Sequence, residues 1–296
     1  MPPEFSIIVP TFRRPAQLAR LLHSLTRLRY PAAHREVIVV DDGGGDCETD
    51  RVLSYTSQLK ITVLRHERTG PAGARNFGAA HACGEFLAFV DDDCEPDPGW
   101  LDAMAAAFRN GKDFVCGGRT INSLKHNLYS EATQLLVDHL YARYSPKDYL
   151  GGFFAANNMA LSREAFLAAG GFGAGLRFGE DREFCHRWAC LGGNFAFVPE
   201  AVVYHGHPLS FRSFLTLHVR YGAGSGEFRV RCSKNGGKMP RVNSPAWYAG
   251  LIASGIRRER NMRGLRLSLL LCASQIAALA GMLFRHAVLR HARESN

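Results

Sequence analysis

Short apolar runs punctuate the first 90 residues, and each ends in turn-forming or acidic residues. Phe5–Val9 closes at Pro10, Val37–Val40 runs into Asp41-Asp42-Gly43-Gly44-Gly45, Ile61–Leu64 precedes the turn Gly70–Gly73, and Phe86–Val90 stops in Asp91-Asp92-Asp93. Such runs, rich in β-branched and aromatic residues, predict strands. Between them, Pro15–Leu28 sets Leu18, Leu21, Leu22 and Leu25 at helical spacing, and the small residues after Gly73 predict a helix to about Ala82. Strands alternating with helices predict a Rossmann-like α/β fold, a mostly parallel sheet with helices on both faces. Ligands of such sheets bind beyond the carboxyl ends of the strands, and two of those ends are acidic here.

From Phe153 the pattern changes to Asn157-Asn158-Met159-Ala160-Leu161, a helix over Arg163–Ala169, a loop, and a helix opening at Glu180-Asp181 and stopping before Gly192-Gly193. A strand Asn194–Val198 then leads to Val202-Val203-Tyr204-His205-Gly206-His207. Beyond about residue 215 the periodicity loosens into Gly- and Arg-rich sequence, until Leu267–Phe284 forms an apolar helix of about the minimum length to span a bilayer. Arginines flank it on both sides, so no orientation follows, and a span, a re-entrant segment, an interfacial helix or a helix packed on protein all fit.

Charge sharpens this division. Residues 1–200 carry 21 Lys/Arg against 24 Asp/Glu, whereas residues 201–296 carry 15 against 3, so the net +9 resides in the tail. A basic tail around an apolar helix suits an anionic membrane surface better than nucleic acid, for which aromatic interleaving is missing. Hydrophobic residues at 46% and charged residues at 21% exclude a disordered chain. The eight cysteines form no metal-type pair and no basic leader precedes the first strand, so a reduced, cytoplasmic protein attached to the inner face of the cell membrane is expected.

Candidate chemistry gathers at the strand ends. Asp91, Asp92 and Asp93, without neutralising partners, would repel one another, and a divalent cation bound to diphosphate oxygens would relieve that repulsion. Asp41 would reach the same edge, Arg75 opens the following helix, and Thr11 and Phe12 offer a hydroxyl and a ring to a base. Glu180 and Asp181 are acid/base candidates, though carboxylates also cap helices there, with a lowered pKa. His205 is a candidate metal ligand, and His207 a weaker one.

The ordered motifs IIVPTFRR, VIVVDDGG, GPAGARNFG, FLAFVDDD, NNMALSREAF, GEDREF and VVYHGHP resemble a family 2 glycosyltransferase of the GT-A fold over residues 5–210. The resemblance implies a glycosyltransferase domain over 1–215, with a nucleotide-binding half to about 98 and an acceptor half from 99, followed by a basic appendage over 216–296. It further implies that Asp41 and Arg75 meet the base of a nucleotide-diphosphate sugar, with Thr11 and Phe12 beside them. Asp91 and Asp92 would meet ribose and diphosphate. Asp93 and His205 would hold Mn²⁺ or Mg²⁺, and Asp181, with Glu180, would supply the base. Asn158 and Asn157 would lie near the transferred sugar or acceptor, and Trp100 is a weaker candidate there. Members often carry Ser after the second-strand Asp-Asp-Gly, where this chain has further glycines. The implied activity is inverting transfer of a sugar to a glycan or lipid-linked acceptor, in cell-surface polysaccharide or lipid-linked glycan synthesis. A metal-dependent nucleotidyltransferase and a non-catalytic nucleotide- or nucleic-acid-binding module are the alternatives.

Overall fold

The computed structural model describes residues 4–43, 59–109, 111–142, 153–173, 175–176, 178–234 and 243–294, so Gly44, Gly45 and Cys47 lie outside the described residues. Contacts divide the chain into two compact units: residues 1–123, 153–175 and 180–206, and residues 124–152, 176–179 and 207–296.

The first unit is built on an eight-stranded sheet. Its elements are β1 (Phe5–Thr11), α1 (Pro15–Thr26), β2 (Arg35–Asp42), β3 (Ile61–His66), α2 (Pro71–His81), β4 (Phe86–Phe89), β5 (Cys94–Pro96), α3 (Trp100–Phe108), β6 (Phe114–Asn122), β7 (Met159–Ser162), α5 (Arg163–Ala168), α6 (Glu180–Cys190) and β8 (Asn194–His205). The strand order is β3-β2-β1-β4-β7-β6-β8-β5. β1 and β2 are buried along their whole length because both faces are covered. Side chains alternate between the two faces: Phe5, Ile7, Val9, Val37 and Val39 join a core with Leu18, Leu21 and Leu22 of α1 and Trp100, Leu101 and Met104 of α3, whereas Ile8, Ile38 and Val40 face Gly78 of α2.

The order of strand addition reverses at β1. β2 and β3 build outward on one side, and β4 returns to pair with the other side of β1, in parallel. That is a topological switch point, where the loops after β1 and β4 diverge and leave a crevice. Thr11 ends β1 and the aspartate triplet follows β4, so the fold itself brings them together.

Beyond β4 the sheet is less parallel than its first half: β4–β7, β6–β7 and β5–β8 run antiparallel, and only β6–β8 is parallel. Asn194–Val198 and Val202–His205, expected as separate pieces, are one strand. Its register with β6 jumps from Gly118↔Val198 to Arg119↔Val202, leaving the residues between unpaired. β6 itself carries Gly117 and Gly118, where a Cβ would fall 2.0 Å from the Phe154 ring and 2.1 Å from the Ala201 carbonyl oxygen.

The second unit contains α4 (Leu128–Tyr141), α7 (Phe211–Lys234), α8 (Pro245–Arg258) and α9 (Met262–Glu294). Asn127 and Ser244 cap α4 and α8 by accepting backbone N–H groups. The Gly- and Arg-rich stretch expected to be loose is helix α7, which runs straight through residue 216. Its glycines are a packing surface: a Cβ on Gly222 would lie 1.8 Å from the Ala278 carbonyl oxygen, and one on Gly281 of α9 would lie 1.9 Å from that of Val219. The expected apolar helix 267–284 lies within α9, whose Leu267 and Leu271 pack with Leu135, Leu209, Phe214 and Leu251.

Gly222→Leu therefore forces α7 and α9 apart. Overpacking at such a contact costs about 1–3 kcal/mol. A lowered thermal midpoint of the helical circular dichroism signal is the expected result.

Candidate active site

Every residue of the candidate site belongs to the first unit. Thr11, at the end of β1, donates its hydroxyl proton to Asp92 Oδ2 at 2.8 Å, and in the sheet it stands opposite Asp41 of β2. Asp41 is buried at the same edge. Asp42 has a structural role, because its carboxylate accepts the backbone N–H groups of Thr69 and Gly70, each at 2.8 Å, and so fixes the turn that launches α2. Phe12 is half-buried with the guanidinium carbons of Arg68 and Arg13 at 4.1 and 5.3 Å from its ring centroid, a cation-flanked ring rather than a core residue.

The triplet is not left to repel itself, contrary to the expectation from sequence. Arg75 Nη2 donates to Asp91 Oδ1 at 2.5 Å, Arg14 Nη1 lies 3.2 Å from both Asp92 Oδ1 and Asp93 Oδ2, and His205 Nε2 lies 3.2 Å from Asp93 Oδ1. Burial raises Asp92 to about 6 even though Arg14 and the Thr11 hydrogen bond oppose the shift. Arg14 was missed because its partners are 78 and 79 residues away in sequence. An arginine in the loop after the first strand, opposite an acidic triplet, was the available signal.

His205 reaches Asp93 because β5 and β8 pair with Cys94 opposite His205, and the Gly206 N–H donates to the Asp93 carbonyl. Burial lowers the imidazole's pKa, but the Asp93 hydrogen bond and charge more than offset this and leave it raised. The ligand atoms of Asp93, Cys94 and His205 lie within 4.8 Å of one another. Burial holds the Cys94 thiol well above its usual range, and a soft sulfur is a poor ligand for the hard cations Mn²⁺ and Mg²⁺. A carboxylate oxygen and an imidazole nitrogen remain, a donor set that suits Mn²⁺ and, less fully, Mg²⁺. His207 falls in the second unit, where its carbonyl accepts from the Ser130 hydroxyl.

Arg75 is a clamp. Its side chain is 4% exposed, with Nη1 on Glu180 Oε1 at 2.7 Å and Nη2 on Asp91, so in this structure it joins two carboxylates. The paired carboxylates raise its pKa further despite burial. Glu180 is thereby ion-paired and held in place, a partner that the neighbouring Asp181 does not share. Asp181 accepts the Arg182 N–H at 2.7 Å and the Ala156 N–H at 3.4 Å, yet burial, aided by the Glu180 charge, pushes it up to about 7. The lowering expected at a helix start is outweighed.

Asn158 requires correction. Its side chain is fully buried, its Oδ1 accepts from Trp100 Nε1 at 2.9 Å, and its Nδ2 donates to the Ala201 carbonyl at 3.0 Å. A carboxamide so enclosed braces the unpaired segment of β8, and both its amide atoms are engaged within the protein. Trp100 is equally buried. Asn157 is nearer the surface, accepting from Thr120 Oγ1 at 3.3 Å.

Solved structures share the fold. A mannosyltransferase from Pyrobaculum calidifontis, in complex with GDP-Man and Mn²⁺, aligns over 99% of this chain and 80% of its own at a TM-score of 0.62 and 20% identity. TarS of S. aureus, residues 1–349 with UDP-GlcNAc, aligns over 98% and 92% at 0.54 and 19%. Both carry the GT-A architecture expected from the motifs. Among sequences, the pre-mycofactocin glycosyltransferase of Mycobacterium tuberculosis is 28% identical over 77% of this chain and 48% of its own length, and glycosyltransferase AglE of Haloferax volcanii is 32% identical over 39% of each. The chain thus spans about half or less of the length of these relatives. Residues 6–170 match the profile described as Glycosyl transferase family 2, more than half of the sequence, and the chain belongs to that family.

Proposed function

We propose that the chain transfers a sugar, with inversion, from a nucleotide-diphosphate sugar to an acceptor hydroxyl. The observation that carries the reading is the separation of roles along one edge. Thr11, Asp41 and Phe12 lie at the switch point, Asp93 and His205 form an oxygen–nitrogen pair, and Asp181 accepts backbone N–H groups while its neighbour Glu180 is bound to arginine. Structural relatives hold GDP-Man with Mn²⁺, or UDP-GlcNAc, which supports a nucleotide-sugar donor and a divalent cation.

In this reading Asp41, Thr11 and Phe12 receive the nucleoside, and Asp91 and Asp92 face ribose and diphosphate. Asp93 and His205 hold Mn²⁺ or Mg²⁺, which when bound would offset negative charge on the leaving diphosphate. Asp181 takes the proton of the acceptor hydroxyl as its oxygen attacks the anomeric carbon. The bond from that carbon to diphosphate breaks, and the electron pair leaves with the nucleoside diphosphate. Glu180 acts through Asp181 by raising its proton affinity, which makes it a positioning residue. Asp181→Asn is expected to lower kcat by about 10²–10⁴-fold while leaving the Kd for the donor nearly unchanged. An ionised Asp181 is required, so kcat/KM of the intact protein rises with pH through about 7. Release of nucleoside diphosphate supports glycosyl transfer, whereas formation or consumption of pyrophosphate identifies a nucleotidyltransferase.

The second unit supplies a reason to place this chemistry at a membrane. α9 turns Leu267, Leu271, Ser274 and Ala277 inward, while Leu265, Leu269, Ile276, Leu279 and Leu283 are exposed, with Ile276 at 68%. One side of the helix is already packed, so the other would lie in the bilayer interface, not across it. Arg257, Arg260 and Arg266 are exposed near its start, and Arg285, Arg290 and Arg293 follow in sequence. A second copy of this stripe would bring like charges together, whereas an anionic lipid surface neutralises them at about 1 kcal/mol per residue. A tethered enzyme would meet lipid-linked glycan or nascent polysaccharide acceptors. Co-sedimentation with phosphatidylglycerol-containing vesicles, weakened by high salt and abolished by Leu269→Glu with Ile276→Glu, is the expected result.

A further inference from the structure

Arg14 occupies an unfavourable place for a cation. It immediately precedes the first turn of α1, where the helix dipole repels positive charge. Arg13 beside it has φ +53, the single positive φ outside glycine among the described residues. Neither feature serves the helix. At this position the Arg14 guanidinium lies over the triplet, with one nitrogen 3.2 Å from Asp92 and 3.2 Å from Asp93 while the side chain remains 48% exposed and able to swing away. Asp93 is also the carboxylate that His205 approaches from its other oxygen. A cation held by Asp93 and His205 and the Arg14 guanidinium therefore compete for the same negative charge.

We propose that Arg14 is the resident counter-cation of the donor site. With no donor bound it neutralises Asp92 and Asp93 and keeps divalent-metal affinity low. When a nucleoside diphosphate enters, its oxygens become the alternative partner of the guanidinium, Asp93 is released to the metal, and metal and nucleotide bind cooperatively. Arg14 is thus a positioning residue that makes the two ligands arrive together. The inference rests on the metal role proposed for Asp93, and the test separates the two.

Free Mn²⁺ is measured by electron paramagnetic resonance in titrations of the full chain, alone and with UDP or GDP, against protein-free mixtures. The unsubstituted protein is expected to bind Mn²⁺ weakly alone and more tightly with the nucleotide it accepts. Arg14→Gln is expected to tighten nucleotide-free Mn²⁺ binding by roughly three- to ten-fold, as for loss of one or two half-exposed ion pairs, and to shrink the gain from nucleotide. Arg14→Lys should stay near the original behaviour. Unchanged or weaker nucleotide-free binding in a folded Arg14→Gln protein overturns the proposal, as does equal Mn²⁺ affinity with and without either nucleotide in the unsubstituted chain. Asp93→Ala distinguishes the underlying reading: if it leaves Mn²⁺ binding intact, the metal site itself is misassigned. If it abolishes binding while Arg14→Gln changes nothing, only the role of Arg14 fails.

Discussion

Negative charge gathered at one edge of a sheet must be balanced before a chain can close over it. Here Asp91, Asp92, Asp93 and Glu180 converge from distant parts of the sequence, and two arginines make the convergence tolerable. Arg75 does so permanently, from inside the protein, and Arg14 does so from a half-exposed loop. Removing a buried partner leaves an uncompensated charge, which is far costlier than losing a surface pair. The permanent balance accordingly sits deep in the first unit, between the carboxylate after β4 and the one that opens α6.

Neighbouring carboxylates with different partners acquire different chemistry. Glu180 is tied to a guanidinium, while Asp181 has only backbone donors and a like charge beside it. Their separation follows the general rule that adjacent titratable groups divide acid and base roles when their surroundings push them apart. A helix start, one buried arginine and a dense setting suffice.

The strands that carry the site were legible because their signal is local. β1, β2 and β4 are apolar runs stopped by polar residues, and the stop is itself the functional feature. β6 was not legible: Val115-Cys116-Gly117-Gly118 shows no alternating apolar signal, and its glycines make room for Phe154 and for the Ala201 backbone. α7 was misread for a related reason, since glycines that let two helices touch resemble those that let a chain bend. Asn158 was read as a ligand from its motif, and only the packed structure reveals that Trp100 and Ala201 take up its amide. Arg14 was hidden by sequence separation alone.

The Arg75 clamp has an evolutionary consequence. One side chain grips both Asp91 and Glu180, which in the proposed reading face the donor and adjoin the base. Drift in sugar-nucleotide preference that repositions Asp91 would travel through that guanidinium and retune the acidity at which the enzyme works. On the proposed roles of Asp91 and Asp181, substrate range and working pH would be coupled traits, and descendants would be expected to change both together or neither.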